Sequence, residues 1–189
     1  MGARQPPRPG KNLVAKKSQS RKAGWINGQK PKRVKRNTKL WINIDTWNVM
    51  TMLKPGKMNE IADQMLSTQM QIIAFQEIRR KRHGQIKKNK YSLYYSCSQQ
   101  RMGQLGTGFM ARKEVEKNIM SFTPISERIC ILRLKGKFYN TTLINVHAPT
   151  EEKMEEEKDK YYDDLQKVYD RLLKHDSVMI LGNVNAKTG

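Results

Sequence analysis

Five polar residues that could do chemistry stand close after short apolar runs of this 189-residue chain: Asn48, Glu77, His147, Asn183 and Asn185. A carboxylate, an imidazole and amide groups can together hold a cation, hydrogen-bond to an anion and transfer a proton. Short apolar runs are typical of buried strands, and strand ends are where a rigid scaffold brings side chains together. The pattern therefore favours one shared site.

Each of these residues also has an ordinary structural interpretation when it is taken alone. Glu77 precedes a basic cluster, so it could be a strand-end carboxylate that is paired with Arg79 or Arg80. The asparagines could be turn residues, and His147 could be a loop histidine whose hydrogen bonds are satisfied by its neighbours. Only their occurrence together and in this order favours the functional interpretation.

The elements that must position these residues can be predicted from apolar periodicity. Apolar residues at helical spacing predict helices over 57–68 and from about 151 to 174, and the stripe on the second helix is interpreted as core packing. Apolar runs predict strands near 40–47, 71–75, 91–97, 106–111, 128–134, 139–146 and 177–181, the last of them buried. Because strands and helices do not alternate regularly, we predict an α/β sandwich rather than a Rossmann unit.

The charge of the chain is very uneven. Lys and Arg number 37 against 17 Asp and Glu, a net charge of +20. Residues 1–40 hold 13 of the basic residues and no acidic ones, so the rest of the chain has 24 − 17 = +7. With several prolines and few apolar residues, 1–39 is predicted to be a disordered basic arm that precedes a folded domain over 40–189. The arm contains two clusters of basic residues that could serve nuclear import or nucleic-acid binding, or could simply be solvated charges. Their members are Lys16, Lys17, Lys32, Arg33, Lys35 and Arg36.

A second basic cluster lies inside the predicted domain. Its members are Arg79, Arg80, Lys81, Arg82, Lys87, Lys88 and Lys90. Such a run is usually a solvated loop, but beside phosphodiester chemistry it becomes a candidate for binding a nucleic-acid backbone. The charge therefore favours a polyanionic partner, with nucleic acid first and an anionic membrane surface second.

Membrane and secreted classes are disfavoured by the sequence. No apolar run approaches the roughly 18–20 residues that span a bilayer, and the N-terminus lacks the apolar core of a secretory signal. Two cysteines are too few for a disulfide framework. We therefore expect the nucleus or cytoplasm, no membrane partner, and no obligate protein partner.

Four short motifs and a glycine-rich stretch give the chain a family resemblance. The motifs, in order, are Trp47-Asn48-Val49, Gln76-Glu77-Ile78, His147-Ala148-Pro149-Thr150 and Leu181-Gly182-Asn183-Val184-Asn185-Ala186. They resemble the endonuclease/exonuclease/phosphatase superfamily, whose fold is a four-layer DNase I-like α/β sandwich. The stretch 103–110 is similar to the branch of RTE (bovine-B type) non-LTR retrotransposon endonucleases and craniofacial development protein 2-like proteins. The resemblance covers about 40–189.

The resemblance implies a role for each candidate residue. Asn48 and Glu77 would bind Mg²⁺ or Mn²⁺, since Mg²⁺ prefers oxygen ligands and needs few of them beside a substrate phosphate. His147 would contact the scissile phosphate, and Asn185 would help orient the substrate or the attacking water. The implied activity is hydrolysis of phosphodiester bonds in DNA.

The sequence departs from the family pattern in two places. The family motif Gly-Asp-Xaa-Asn has an aspartate where this chain has Asn183, and a neutral amide is a very poor base. The family also continues with further strands, another metal-site aspartate and a late Asp-His pair, whereas this chain ends at Gly189. We therefore expect a sandwich whose C-terminal part is missing, and an inactive or impaired enzyme. The alternatives are a non-catalytic basic nucleic-acid-binding protein or a decayed retroelement fragment.

Overall fold

A computed structural model describes residues 42–100 and 103–184. The basic arm predicted for 1–39 and the candidate residue Asn185 lie outside the described residues. The elements are β1 Ile44–Asn48, α1 Lys57–Ser67, β2 Ile72–Gln76, β3 His83–Lys87, β4 Tyr91–Ser96, β5 Thr107–Arg112, α2 Lys113–Glu116, β6 Ile119–Pro124, β7 Ile129–Leu134, β8 Thr141–His147, α3 Glu155–Asp170 and β9 Ser177–Asn183.

The strands form two mixed sheets. The first sheet has the order β1-β2-β5-β4-β3, and the second has the order β6-β7-β8-β9. β1 runs parallel to β2, and β8 runs parallel to β9, whereas the other neighbours are antiparallel. Parallel neighbours end at the same edge of a sheet, so the C-terminal ends of β1 and β2 meet, as do those of β8 and β9.

Three apolar clusters show that the elements stack in four layers. α1 packs on the first sheet through residues such as Ile61 and Met65, which meet Phe75 of β2. The opposite face of β2 packs against β7 and β8 of the second sheet in a middle cluster. α3 covers the far face of the second sheet through Tyr161 and Val168. The order helix, sheet, sheet, helix is the predicted α/β sandwich, and the apolar stripe on α3 is core packing.

Two of the four outer strands, β3 and β6, and the short helix α2 were not predicted from the sequence. β3 and β6 are edge strands with one strand neighbour each. Their residues alternate between exposed and half-buried positions, so neither strand has the apolar run that marks a buried strand. As a result, part of the basic 79–90 cluster, interpreted above as a loop, belongs to β3.

The prediction that the last strand is buried is wrong. β9 forms where it was expected, but Val178, Met179 and Ile180 are 38%, 45% and 47% exposed. β9 pairs with β8 at the edge of the second sheet, and no strand among the described residues pairs with its other side. The apolar composition of β9 is therefore that of an interior strand, whereas its position in the sheet is that of an edge.

A search of the described residues for a helix long and apolar enough to cross a bilayer found none.

Candidate functional site

Four of the five candidate residues lie at strand ends on one side of the sandwich. Asn48 ends β1 opposite Gln76, the residue before Glu77. His147 ends β8 directly opposite Asn183 at the end of β9. Glu77 and His147 both line a cleft with a volume of about 890 Å³. The two parallel strand pairs thus bring together residues that are up to 135 positions apart in the sequence (183 − 48 = 135).

Glu77 is held in a strained backbone conformation with an ionised side chain. Its φ is 58°, in the left-handed region that non-glycine residues rarely adopt. Oε1 accepts a hydrogen bond from Asn48 Nδ2 at 2.7 Å, and Oε2 accepts one from Arg79 Nη2 at 2.6 Å. Burial alone would raise the pKa of Glu77, but these two bonds and the charge of Arg79 outweigh it and lower the pKa. The pairing with Arg79 that was considered as an alternative is therefore present.

The Asn48 side chain has one fixed orientation. Its Nδ2 donates to Glu77, and its Oδ1 accepts the backbone N–H of Met50 at 3.0 Å. Exchanging the two amide atoms would place donors against donors at Met50, so the assignment follows from the hydrogen bonds. An amide oxygen has two lone pairs. Oδ1 of Asn48 therefore retains one acceptor position, while Nδ2 of the same amide faces the carboxylate of Glu77.

His147 is buried between the sheet and the cleft. Its side chain is 7% exposed, and its Nδ1 has no hydrogen-bond partner among the described residues. Burial is the main cause that lowers the pKa of His147, and the charge of Arg128 lowers it further, whereas Glu77 opposes both. The imidazole is therefore neutral at pH 7, with one N–H to donate and one nitrogen to accept.

Asn183 is anchored at its backbone by the chain that follows the neighbouring strand β8. Its carbonyl accepts the N–H of Ala148 at 2.9 Å. The preceding Gly182 has a φ of 116°, and a Cβ added there would lie 2.0 Å from the carbonyl oxygen of Val146. Only glycine fits this position without displacing β8. The glycine therefore fixes where the residue at position 183 stands relative to His147.

A buried hydrogen-bond network that was not predicted joins the two sheets beneath the cleft. Asn145 of β8 is fully buried. Its Nδ2 donates to the carbonyls of Phe75 and Gly108, both at 2.8 Å, and its Oδ1 accepts from Gln76 Nε2 at 2.7 Å. Gln76 Nε2 also donates to Thr46 at 3.1 Å. Glu77 directly follows Gln76, and His147 lies two positions after Asn145. This network therefore sets the distance between the two halves of the site.

One sequence signal could have revealed this network. Asn145 interrupts the apolar run Leu143-Ile144-Asn145-Val146. A polar residue in the middle of a buried strand must find hydrogen-bond partners inside the protein. The pattern indicates a buried polar contact, although it does not indicate which strand provides the partner.

Arg128 is a second residue of the cleft that sequence reasoning missed. Its side chain is 13% exposed; Nη1 donates to the His147 carbonyl at 3.2 Å, and Nη2 contacts Glu157 at 2.6 Å. Its own carbonyl accepts the N–H of His147 at 2.9 Å. Arg128 therefore ties His147 to α3. It stands alone in its part of the sequence, outside the basic cluster, so no charge pattern marked it.

The cleft itself is balanced in charge rather than strongly basic. Eight of its lining residues are Lys, Arg, Asp or Glu, and four of these are basic and four acidic. They are Arg79, Arg128, Lys153, Lys160, Glu77, Glu127, Glu157 and Asp164. The cleft could therefore bind a phosphate with its bases and a cation with its acids.

The residues of the basic cluster 79–90 divide between the cleft and the surface. Arg79 lines the cleft, and the guanidinium carbon of Arg80 lies 5.4 Å from the centre of the Tyr95 ring. The exposed members are Lys81, Arg82, Lys87, Lys88 and Lys90. Lys87 and Lys90 each have an acidic neighbour, Glu116 and Asp63, at 4.0 Å, a distance at which an exposed pair contributes little. The lysines are therefore available for contacts with a polyanion.

The donors at Glu77 and Asn48 fit a hard divalent cation in chemistry. Glu77 provides an ionised carboxylate and its hydrogen-bonded neighbour Asn48 provides an amide oxygen with a spare lone pair, and both are ligand types that Mg²⁺ accepts. Because Nδ2 is the Asn48 atom that faces Glu77, the amide must rotate before both oxygens can bind one ion. No cluster of three or more His, Cys, Asp or Glu side chains suited to a metal exists in 42–100 and 103–184. Two oxygen donors would leave most coordination positions of Mg²⁺ to water, which is common for this ion.

Comparisons with known proteins connect this geometry to a family. The family model described as the Endonuclease/Exonuclease/phosphatase family matches residues 46–188. "Craniofacial development protein 2" from Tragulus javanicus is 33% identical over 146 residues, which is 77% of this chain and 25% of that protein. The chain therefore spans about a quarter of the length of the curated relatives it matches.

Solved structures share the fold. The catalytic domain of APE2 from Xenopus laevis has a TM-score of 0.58 at 17% identity, over 75% of this chain and 57% of that one. TDP2 from D. rerio, in complex with a single-stranded DNA product, has a TM-score of 0.54 at 13% identity, over 77% of this chain and 61% of that one. At these identities the likeness establishes the α/β sandwich, and the site must be argued from its own residues.

Proposed function

The chain belongs to the endonuclease/exonuclease/phosphatase family, and from that premise we propose that its cleft is a nuclease-like site for phosphodiester bonds of DNA, impaired by the residue at position 183. The observation that carries the proposal is the convergence of Asn48, Glu77, His147 and Asn183 at adjoining strand ends. Four separate parts of the sequence contribute to that convergence. The DNA in the TDP2 complex supports the choice of substrate.

Glu77 and Asn48 would provide the oxygen ligands for Mg²⁺ or Mn²⁺. When bound, the metal supplies electrostatic stabilisation of the charge that develops on the phosphate and the leaving oxygen. The strained backbone at Glu77 supports this role, because unusual backbone conformations cluster at functional positions.

His147 would hold the substrate phosphate. A neutral imidazole donates a single N–H, so it can hydrogen-bond to a phosphate oxygen without carrying a charge. The backbone bonds from Arg128 and the partner strand β9 keep the ring at the mouth of the cleft. Nδ1 of His147 has no hydrogen-bond partner within 42–100 and 103–184, and a buried polar atom usually has one, which supports a polar group of the substrate as its partner.

Asn183 is the reason why we expect impaired hydrolysis. The residue stands opposite His147, where the family motif has an aspartate. Its amide can hydrogen-bond to a water molecule but cannot take its proton at neutral pH. Losing a general base costs about 10²–10⁴ in rate. We therefore propose a site that binds its substrate and cleaves it slowly.

Nicking of supercoiled plasmid DNA in Mg²⁺ buffer tests the proposal. Slow nicking by the purified chain should require Glu77 and should be abolished in Glu77→Ala. Glu127→Ala is the matched control, because Glu127 is another carboxylate of the same cleft that has no role in the proposed chemistry. Equal nicking by the wild-type chain and Glu77→Ala would contradict the proposed site.

A second candidate function is DNA binding without catalysis. The observation that favours it is the group of exposed lysines on and beside β3, which lie outside the cleft. Binding through them should weaken steeply with salt, because each phosphate contact releases a counterion. Replacing Lys81 and Lys88 with alanine should reduce the slope of log affinity against log salt by about 2 if both contact phosphate. An unchanged slope in fluorescence anisotropy would argue against this surface.

A further inference from the structure

We propose that Arg79 is an intramolecular competitor for the divalent metal, because its guanidinium occupies the cation position at Glu77 and must leave before a metal can bind there. This inference rests on the proposed function, since it concerns the metal expected at Glu77. It adds a residue that sets the strength of that metal site. It also predicts that the metal site of this chain is weaker than its donor atoms alone would make it.

The contacts of the Glu77 carboxylate carry the argument. Arg79 Nη2 lies 2.6 Å from Oε2, and Asn48 Nδ2 lies 2.7 Å from Oε1. Both carboxylate oxygens therefore accept short hydrogen bonds, and one of the donors carries a full positive charge. A metal ion and a guanidinium cannot lie next to the same carboxylate oxygen without strong repulsion. Binding of the metal is therefore an exchange of one cation for another.

The backbone of Arg79 directs its side chain to this position. Its N–H donates to the carbonyl of Leu105 at 2.7 Å, and its own carbonyl accepts the N–H of Gly103 at 3.1 Å. Its φ is 62°, in the left-handed region. A residue that is fixed on both sides in an unusual conformation has little freedom to carry its side chain elsewhere by moving the backbone. The exchange must therefore occur by rotation of the side chain.

The guanidinium is also incompletely bonded where it stands. Nε of Arg79 is buried and has no hydrogen-bond partner among the described residues. The carboxylate accepts a single bond from the group, in place of the two parallel bonds of the strongest Arg–carboxylate pairs. The side chains of Arg79 and Glu77 are 39% and 21% exposed, so water screens the pair. The competitor is thus strong enough to weaken the metal site and weak enough to be displaced.

The neighbouring Arg80 provides a matched control. It carries the same charge one position along the chain, and its guanidinium lies over the ring of Tyr95 rather than on a carboxylate. Arg79→Gln and Arg80→Gln therefore remove the same net charge. Only the first removes a group that contacts Glu77.

Isothermal titration calorimetry with MnCl₂ tests the inference on the full chain at fixed ionic strength. We expect Arg79→Gln to bind Mn²⁺ about two- to fivefold more tightly than the wild-type chain, the upper part of the range expected for a partly screened ion pair. Arg80→Gln should change the affinity by less than about twofold, because the Arg80 guanidinium lies over Tyr95 and a charge that does not contact the site is screened by water and salt. Circular dichroism of each variant checks that the fold is intact, and Glu77→Gln identifies the binding that belongs to this site.

Two results would overturn the inference, and they have different consequences. If Mn²⁺ binds in a manner that depends on Glu77 but Arg79→Gln binds no more tightly than Arg80→Gln, Arg79 is not a competitor and the proposed metal site stands. If neither the wild-type chain nor Arg79→Gln shows binding that depends on Glu77, the metal site fails and the inference fails with it. A Glu77-dependent gain in affinity that is specific to Arg79→Gln supports both.

Discussion

Asn145 should be among the most important single residues for both stability and the geometry of the cleft. Its fully buried amide makes three short bonds that join β8 to β2 and β5 across the two sheets. Replacing Asn145 with leucine keeps the approximate volume of the side chain and removes all three bonds. The change therefore isolates the hydrogen bonds from the packing.

The expected loss can be worked from these contacts. Each partner that is left unpaired in the interior costs about 1–3 kcal/mol, and burying a leucine returns about 1.5–3 kcal/mol. The lower part of the first range applies, because Gln76 keeps its bond to Thr46 and each carbonyl has a second lone pair. Three partners at about 1–2 kcal/mol each cost about 3–6 kcal/mol, so after the return from the leucine the free energy of unfolding should fall by about 2 kcal/mol at the midpoints of these ranges.

Urea-induced unfolding followed by circular dichroism measures this reduction. The midpoint should fall while the slope m stays constant, because the surface exposed on unfolding is nearly the same. Gln64→Leu is the control: Gln64 is exposed on α1, and the change should alter the free energy by less than about 0.5 kcal/mol. A loss for Asn145→Leu as small as that of the control would refute the claim that this network joins the sheets.

Two further predictions concern Asp176, which precedes β9, and Gly182, which lies near its end. Asp176→Asn should lower the unfolding temperature at pH 7, because the nearly buried Asp176 accepts bonds from Arg133 Nε at 2.6 Å and Thr142 at 2.9 Å. The bond from Arg133 is the main cause that lowers the pKa of Asp176, so this contribution is present above the unfolded pKa of about 3.9 and is lost as the pH falls through the folded pKa. The gap between the two proteins in thermal unfolding should therefore narrow below about pH 4; a gap that stays constant down to pH 2 would contradict this. Gly182→Ala should destabilise the fold by more than about 1 kcal/mol, because the new Cβ would lie 2.0 Å from the Val146 carbonyl. Gly103→Ala is its control, with a φ of 88° and no atom within 4 Å of the new Cβ, and an equal loss in urea unfolding for both variants would exclude the steric explanation.

Much of the architecture could be predicted from apolar periodicity. The strands with strong apolar runs, β2, β4, β5, β7 and β8, form within two residues of their predicted limits because burial on both faces leaves a clear pattern. The edge strands β3 and β6 were missed, since half-exposed residues give a weak signal. The exposure of β9 could not be predicted either. The amino-acid composition of a strand shows how apolar that strand is. The number of strands that pair with it depends on the rest of the fold.

The strand-end placement of the candidate residues could be predicted from the sequence, whereas their contacts could not, and their roles stay predictions. Residue order and strand ends indicated that Glu77, His147 and Asn183 would converge, and the register of β8 and β9 agrees. The pairing of Glu77 with Arg79 was one of two open alternatives and depends on a left-handed backbone that no propensity predicts. Arg128 was missed because its importance comes from contacts with β8 and α3, which are distant in sequence.

The rate of plasmid nicking by Asn183→Asp, compared with the wild-type chain under identical Mg²⁺ conditions, tests the central claim most directly. That claim is that Glu77, His147 and the residue at position 183 form a phosphodiester-cleaving site that lacks its general base. Restoring a carboxylate opposite His147 should raise the rate by about 10²-fold or more, and Glu77→Ala in the same background should remove the gain. Equal rates for Asn183→Asp and the wild-type chain, or a gain that survives Glu77→Ala, would contradict the account.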